Sequence, residues 1–273
     1  MSDRIEVNAH YYQQFDADYT RDVPGEGYGG WQQATIPLSP KHTAIAVMHA
    51  WDTGSMEKYP GWYRAVEYLP RAERIVKEVF PPLLNAVRNA SMKVYHVVRE
   101  GEHYKHLLGY QRAAELGNTL PHTPRRAVVA DAVLDELRAF RATKTFVGPH
   151  NQHDVDEGFA ALQFPPEAIP VDDEGVTESS RQLLALCEAD EINHLIYIGF
   201  AINGCILMSP GGMFDMSRHG IMCSTVRDAV TAIENKETAR KELNKAEALW
   251  RIGLLFGFVF EAKNLQDALE TSL

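Results

Sequence analysis

Short apolar runs rich in β-branched and aromatic residues alternate along this chain with segments of helical periodicity, and that alternation constrains the fold most. The decisive run lies within His194–Cys205, HLIYIGFAINGC. Leu195-Ile196-Tyr197-Ile198 is short and has no polar face, which predicts a strand buried on both sides. Gly199 ends it, and Cys205 opens a short helical segment broken by Pro210-Gly211-Gly212. A cysteine at the turn from a buried strand into a helix meets unpaired N–H groups and the positive end of the helix dipole, the setting of a nucleophilic thiol. The competing reading is a packed core cysteine.

Further strands are expected over Thr43–His49, Met92–Val98, Ala168–Val171, Ile221–Val226 and Phe256–Phe260. Helical spacing marks Glu67–Ala90, divided near Pro81-Pro82, then Tyr110–Leu116, Ala132–Phe140, a helix capped by Thr177 or Ser179 and running to Ala189, Met213–His219, Asn235–Trp250 and Leu265–Leu269. This pattern predicts a three-layer α/β/α fold on a doubly wound, mostly parallel six-stranded sheet, with ligands outside the carboxyl ends of the strands. Residues 1–40 read as an irregular arm whose aromatics (Tyr11, Tyr12, Phe15, Tyr19, Tyr28, Trp31) seek burial, residues 41–273 as one domain, and about 99–166 as a lid-like insertion that includes the polar loop GPHNQHDVDEGF.

The net charge of -10 and the absence of any Lys/Arg run argue against nucleic acid or an acidic membrane surface as partner. Small molecules and further copies of the chain are the expected partners. Three widely spaced cysteines, Cys187, Cys205 and Cys223, make no disulfide framework and suit a reducing cytoplasm. The first residues carry no apolar signal segment, and no apolar run is long enough to span a membrane.

Three segments carry a resemblance. PLLNAVRNASMKVYHVV, LIYIGFAINGCI and STVRDAVTA are similar to elements of the isochorismatase-like cysteine hydrolases, which include nicotinamidases and N-carbamoylsarcosine amidases. The resemblance covers about Thr43 to the C-terminus and is thin between Arg99 and Pro166. It implies a cysteine nucleophile at Cys205, an Asp ending the first strand, a Lys ending the third, and no cofactor. It also implies homo-oligomers and a non-proline cis peptide, here Phe200–Ala201, with Ala201, Ile202 and Cys205 supplying an oxyanion hole. Trp51 and Phe200 would shape the substrate pocket.

Two of the three catalytic places depart from that pattern. His49 stands where the Asp belongs, and counting back from Gly199 puts Asp172, or its neighbour Asp173, where the Lys belongs. Three readings follow. Cys205, His49 and Asp172 form an exchanged Cys-His-Asp set that hydrolyses a small amide-type substrate. Or the same residues, helped by His103 and His106 or by His150, His153 and Asp154, hold zinc. Or catalysis is lost and the fold serves as a ligand-binding or assembly scaffold.

Overall fold

The computed structural model describes residues 4–121 and 128–271; residues 122–127 of the expected insertion lie outside it. In chain order the elements are β1 (Ile5–Gln13), β2 (Gly30–Leu38), β3 (Thr43–Met48), α1 (Pro60–Ala65), α2 (Leu69–Glu78), α3 (Phe80–Asn89) and β4 (Lys93–Val97). Next come α4 (Leu108–Thr119), α5 (Ala132–Lys144), α6 (Gln152–Ala160), β5 (Gly175–Thr177), α7 (Ser180–Ala189) and β6 (His194–Phe200). A π-helical turn (Ile202–Ile206) follows, then α8 (Met213–Ser217), β7 (Met222–Thr231), α9 (Leu243–Leu255), β8 (Val259–Phe260) and α10 (Ala262–Thr271).

The sheet runs β2-β1-β8-β7-β6-β3-β4-β5. Its six strands from β5 to β8 are mutually parallel, as the sequence predicts. Two strands were not expected. The arm is no irregular wrap: β1 and β2 pair antiparallel over their full length, and β1 joins β8 through Ala9–Phe260 and His10–Val259. Ile5, Val7 and Ala9 alternate inward into the core, while Phe15 and Tyr19 stay exposed.

Side chains of β3 and β6 are buried on both faces, which is why those strands read as unbroken apolar runs. One face packs Ile45, Val47, Ile196 and Ile198 against α2, α3 and α10 through residues such as Ile75, Leu84 and Leu265. The other packs Ala46, Leu195 and Tyr197 against α7, α8 and α9 through Leu183, Met213 and Ile252. The three layers follow directly. Pro81 sits in the first turn of α3, where its missing N–H has no helical partner to lose, so the prolines divide the segment as expected.

Three expectations need correction. The third parallel strand is Gly175–Thr177, not Ala168–Val171. The earlier segment turns instead, because the Glu174 carboxylate draws in the Val171 N–H at 3.0 Å and Asp172 takes a positive φ of 51°. The polar loop contains α6, which buries Val155 and Gly158 against Trp62. The helix expected from Asn235 begins only at Leu243, after Glu242 turns left-handed at φ 48°. The buried Glu234 carboxylate then accepts the N–H groups of Asn244 and Lys245 at 3.1 and 3.0 Å, satisfying donors at the helix start.

Candidate active site

β3 and β6 lie side by side with Met48 paired to Gly199. His49 therefore leaves β3 at the level where β6 ends, and Cys205 follows six residues after Gly199. The His49 N–H extends the ladder to Val97 O at 2.9 Å, and the chain then turns away at φ 48°. Next to it, Val98 N–H reaches Thr177 O at 2.8 Å. These bonds bring the residues just past β3, β4 and β5, namely His49, Arg99 and Glu178, to one end of the sheet. All three line a cavity of about 510 Å³ together with Cys205, Trp51, Tyr68, Phe159 and Ser209.

Gly199 makes this convergence possible. It sits at φ 109°, and a Cβ there would fall 2.0 Å from Met48 O. The Phe200–Ala201 peptide is cis, as the sequence resemblance implies. Ala201 O then accepts the N–H groups of Gly204 and Ile206, both at 3.1 Å, and the π-helical turn presents Cys205 half-buried at the cavity. Cys187 and Cys223 are buried in the core, and burial pushes the Cys223 thiol up to about 12.

The His49 ring stacks on Trp51 with centroids 4.7 Å apart. Its Nδ1 is buried with no hydrogen-bond partner, as is Nε1 of Trp51. Burial, and secondarily the Arg99 charge, lower the His49 pKa to about 4, so the imidazole is neutral at pH 7. Burial and then the influence of Cys205 push the Tyr68 hydroxyl well above its ordinary range, and both residues line the cavity. Phe159, carried by α6, closes the wall, with its ring against Trp62 and Trp51.

Asp172 is not part of this site. It precedes β5 and therefore lies at the amino end of the strands, in a separate polar cavity with Arg88, Lys93, Arg112 and Asp190; Asp173 lines the same cavity. The carboxylate at the carboxyl end of β5 is Glu178. Its oxygens accept the hydroxyls of Tyr104 and Tyr110 at 2.5 and 2.7 Å. Counting overshoots by six residues because α7 starts almost at once after β5: Ser179 caps it by accepting the Gln182 N–H at 3.3 Å. A Glu directly between a β-branched pair and a Ser cap was the available signal. Phe200 also needs correction. It is buried against Phe80, rings stacked at 6.1 Å, and borders a neighbouring cavity rather than that of Cys205; Trp51 borders both. Arg99 and Tyr68 were missed, since neither carries a motif.

The zinc set does not assemble: among the described residues no three His, Cys, Asp or Glu side chains converge as metal ligands. His103 packs against Tyr104 and Phe164, and His153 faces Glu157 on the exposed side of α6.

No family model matches the sequence, and no curated protein does. Solved structures do. A cysteine hydrolase from Pseudomonas syringae pv. phaseolicola 1448A superposes with a TM-score of 0.50 at 14% identity, over 87% of this chain and 97% of that one. The chain has the isochorismatase-like hydrolase fold. Other neighbours are an isochorismatase family protein from Burkholderia thailandensis (TM-score 0.47, 16% identity, 85% and 97% covered) and N-carbamoylsarcosine amidase from Thermoplasma acidophilum (0.42, 14%, 81% and 96%). The β1–β2 pair forms one edge of this sheet. No helix among the described residues is long and apolar enough to cross a membrane.

Proposed function

We propose that the protein is a cysteine hydrolase of a small amide-type substrate, with Cys205 as nucleophile and His49 as its proton acceptor. The observation that carries this is the shared cavity: a half-buried thiol and a neutral, unpartnered imidazole open onto it from adjacent parallel strands. Burial disfavours an isolated imidazolium, but a thiolate formed beside it supplies the counter-charge, so proton transfer creates an ion pair rather than a lone buried cation.

The thiolate attacks the carbonyl carbon, forming the C–S bond. The oxyanion is held by backbone N–H groups of the turn, the candidates being Ala201, Ile202 and Cys205. The tetrahedral intermediate collapses, the C–N bond breaks, and the imidazolium returns its proton to the leaving nitrogen. Water then cleaves the thioester with the imidazole again as base. Glu178, tied to two tyrosines, replaces Asp172 as the third polar group of the site. Its hydrogen bonds to Tyr104 and Tyr110, which stand behind the wall, hold the carboxylate in place.

The test is alkylation of the folded protein with iodoacetamide at pH 7, located by mass spectrometry. Cys205 should be modified selectively, and His49→Ala should slow the reaction by about tenfold or more. An unreactive Cys205, together with no hydrolysis of a panel of small amides, would return the chain to the scaffold reading.

A further inference from the structure

The cavity holds a guanidinium that forms an ion pair with no carboxylate among the described residues. Arg88 and Arg112 are both paired with carboxylates, Glu174 at 2.7 Å and Asp190 at 2.6 Å. Arg99 has no ion pair or hydrogen bond to any described residue; its Cζ lies 4.0 Å from the Phe159 ring centroid. Stacking fixes the plane of the group and leaves its N–H edge free. Two residues that line the same cavity carry unused donors: Trp51, whose buried Nε1–H has no partner and whose ring also borders the neighbouring cavity, and Tyr68, whose hydroxyl makes no hydrogen bond to the described protein. Of the two carboxylates that line the cavity, Glu178 accepts the hydroxyls of Tyr104 and Tyr110, and Glu100 forms no ion pair with Arg99.

Building on the nucleophile reading above, we infer that the substrate bears a single carboxylate, held by Arg99 with the Trp51 indole N–H while the amide carbon faces Cys205. A planar carboxylate matches two parallel N–H groups of a guanidinium, whereas a phosphate would bring a second negative charge. Arg99 is the one Lys or Arg among the lining residues, and Glu100 and Glu178 stand on the same wall, so a dianion is poorly compensated there. Much of the remaining wall is aromatic or aliphatic, Trp62, Phe146, Phe159, Val66, Leu69 and Val98 among it, which suits a short apolar linker between the carboxylate and the amide.

The experiment compares alkylation of Cys205 by iodoacetate, an anion, with that by iodoacetamide, its neutral isostere. Each rate is divided by that of free N-acetylcysteine to remove intrinsic reactivity. The expected result is a preference for iodoacetate raised at least about fivefold over the free thiol, lost in Arg99→Gln and partly kept in Arg99→Lys. A preference equal to that of free thiol, or one unchanged in Arg99→Gln, overturns the carboxylate assignment while leaving the nucleophile in place. A second readout needs no reactive thiol: calorimetric binding of benzoate over benzamide, abolished in Arg99→Gln. If Cys205 resists both reagents, the nucleophile reading falls, and the benzoate result alone decides the subsite: selective binding supports it and equal or absent binding overturns it.

Discussion

An imidazole largely buried and without a carboxylate partner loses more on protonation than it gains. His49 and His194 are both in that position, lowered to about 4 chiefly by burial. His194 Nε2 meets only the Ser224 hydroxyl at 2.7 Å. The sign follows from the shift. In the unfolded chain each ring takes a proton near its ordinary value of 6.5, while the folded ring stays neutral down to about 4, so stability is full above pH 6.5 and is lost as pH falls between those values. Each group accounts for up to about 3 kcal/mol. Urea unfolding at pH 7 and pH 4.5 should show the loss, and His194→Asn should make the dependence shallower by about one proton. At this scale the site was half legible. His49 was legible as a candidate because it ends an apolar run, and Cys205 because it stands in the turn six residues after the glycine that closes another. Asp172 failed because a count depends on loop length, and Arg99 and Tyr68 failed because a charge or hydroxyl acquires meaning only when neighbours leave it unpartnered.

A strand whose end must touch its neighbour's backbone tolerates one residue there. At Gly199 the close approach to Met48 O and the positive φ both exclude a side chain. Gly199→Ala should therefore destabilise the protein by about 3 kcal/mol or more, read as a lower urea midpoint, and should reduce Cys205 alkylation even where the chain still folds. A second close approach ties α6 to α1: a Cβ at Gly158 would fall 2.0 Å from Trp62. Gly158→Ala should shift Phe159 off the cavity wall, cutting substrate hydrolysis more than stability. Elements were legible in proportion to the continuity of their burial. β3 and β6 are buried along their whole length and β4 from Val94 onward, and all three announced themselves. β5 has only three residues, and α6 shows the core a single turn, Val155 with Gly158, inside a charged segment. Such elements are set by what packs on them, which a linear pattern does not contain.

For the whole molecule the open question is what the extra strands do. β8 has two residues, and without β1 its outer edge would carry unpaired backbone groups beside an apolar core. β1 covers that edge and delivers Ile5 and Val7 to the core shared by α3 and α10, joined by Leu38 of β2. Burying a side chain of this size is worth about 2 kcal/mol, an upper figure since ordering the chain opposes it. The arm should thus unfold with the domain rather than before it. Val7→Asp, which is 2% exposed as valine, tests this without shortening the chain. Placing a carboxylate in that site should cost about 2–4 kcal/mol and lower one cooperative transition, seen together by tryptophan fluorescence, to which Trp31 of the arm and Trp51, Trp62 and Trp250 all contribute, and by far-UV circular dichroism. Removing residues 1–39 should lower the same transition further and promote self-association at the bared β8 edge, measured by light scattering. Two separated transitions in Val7→Asp, the first of them absent once Trp31 is replaced by Phe, would instead make the arm an independent flap on a six-stranded domain that is stable without it.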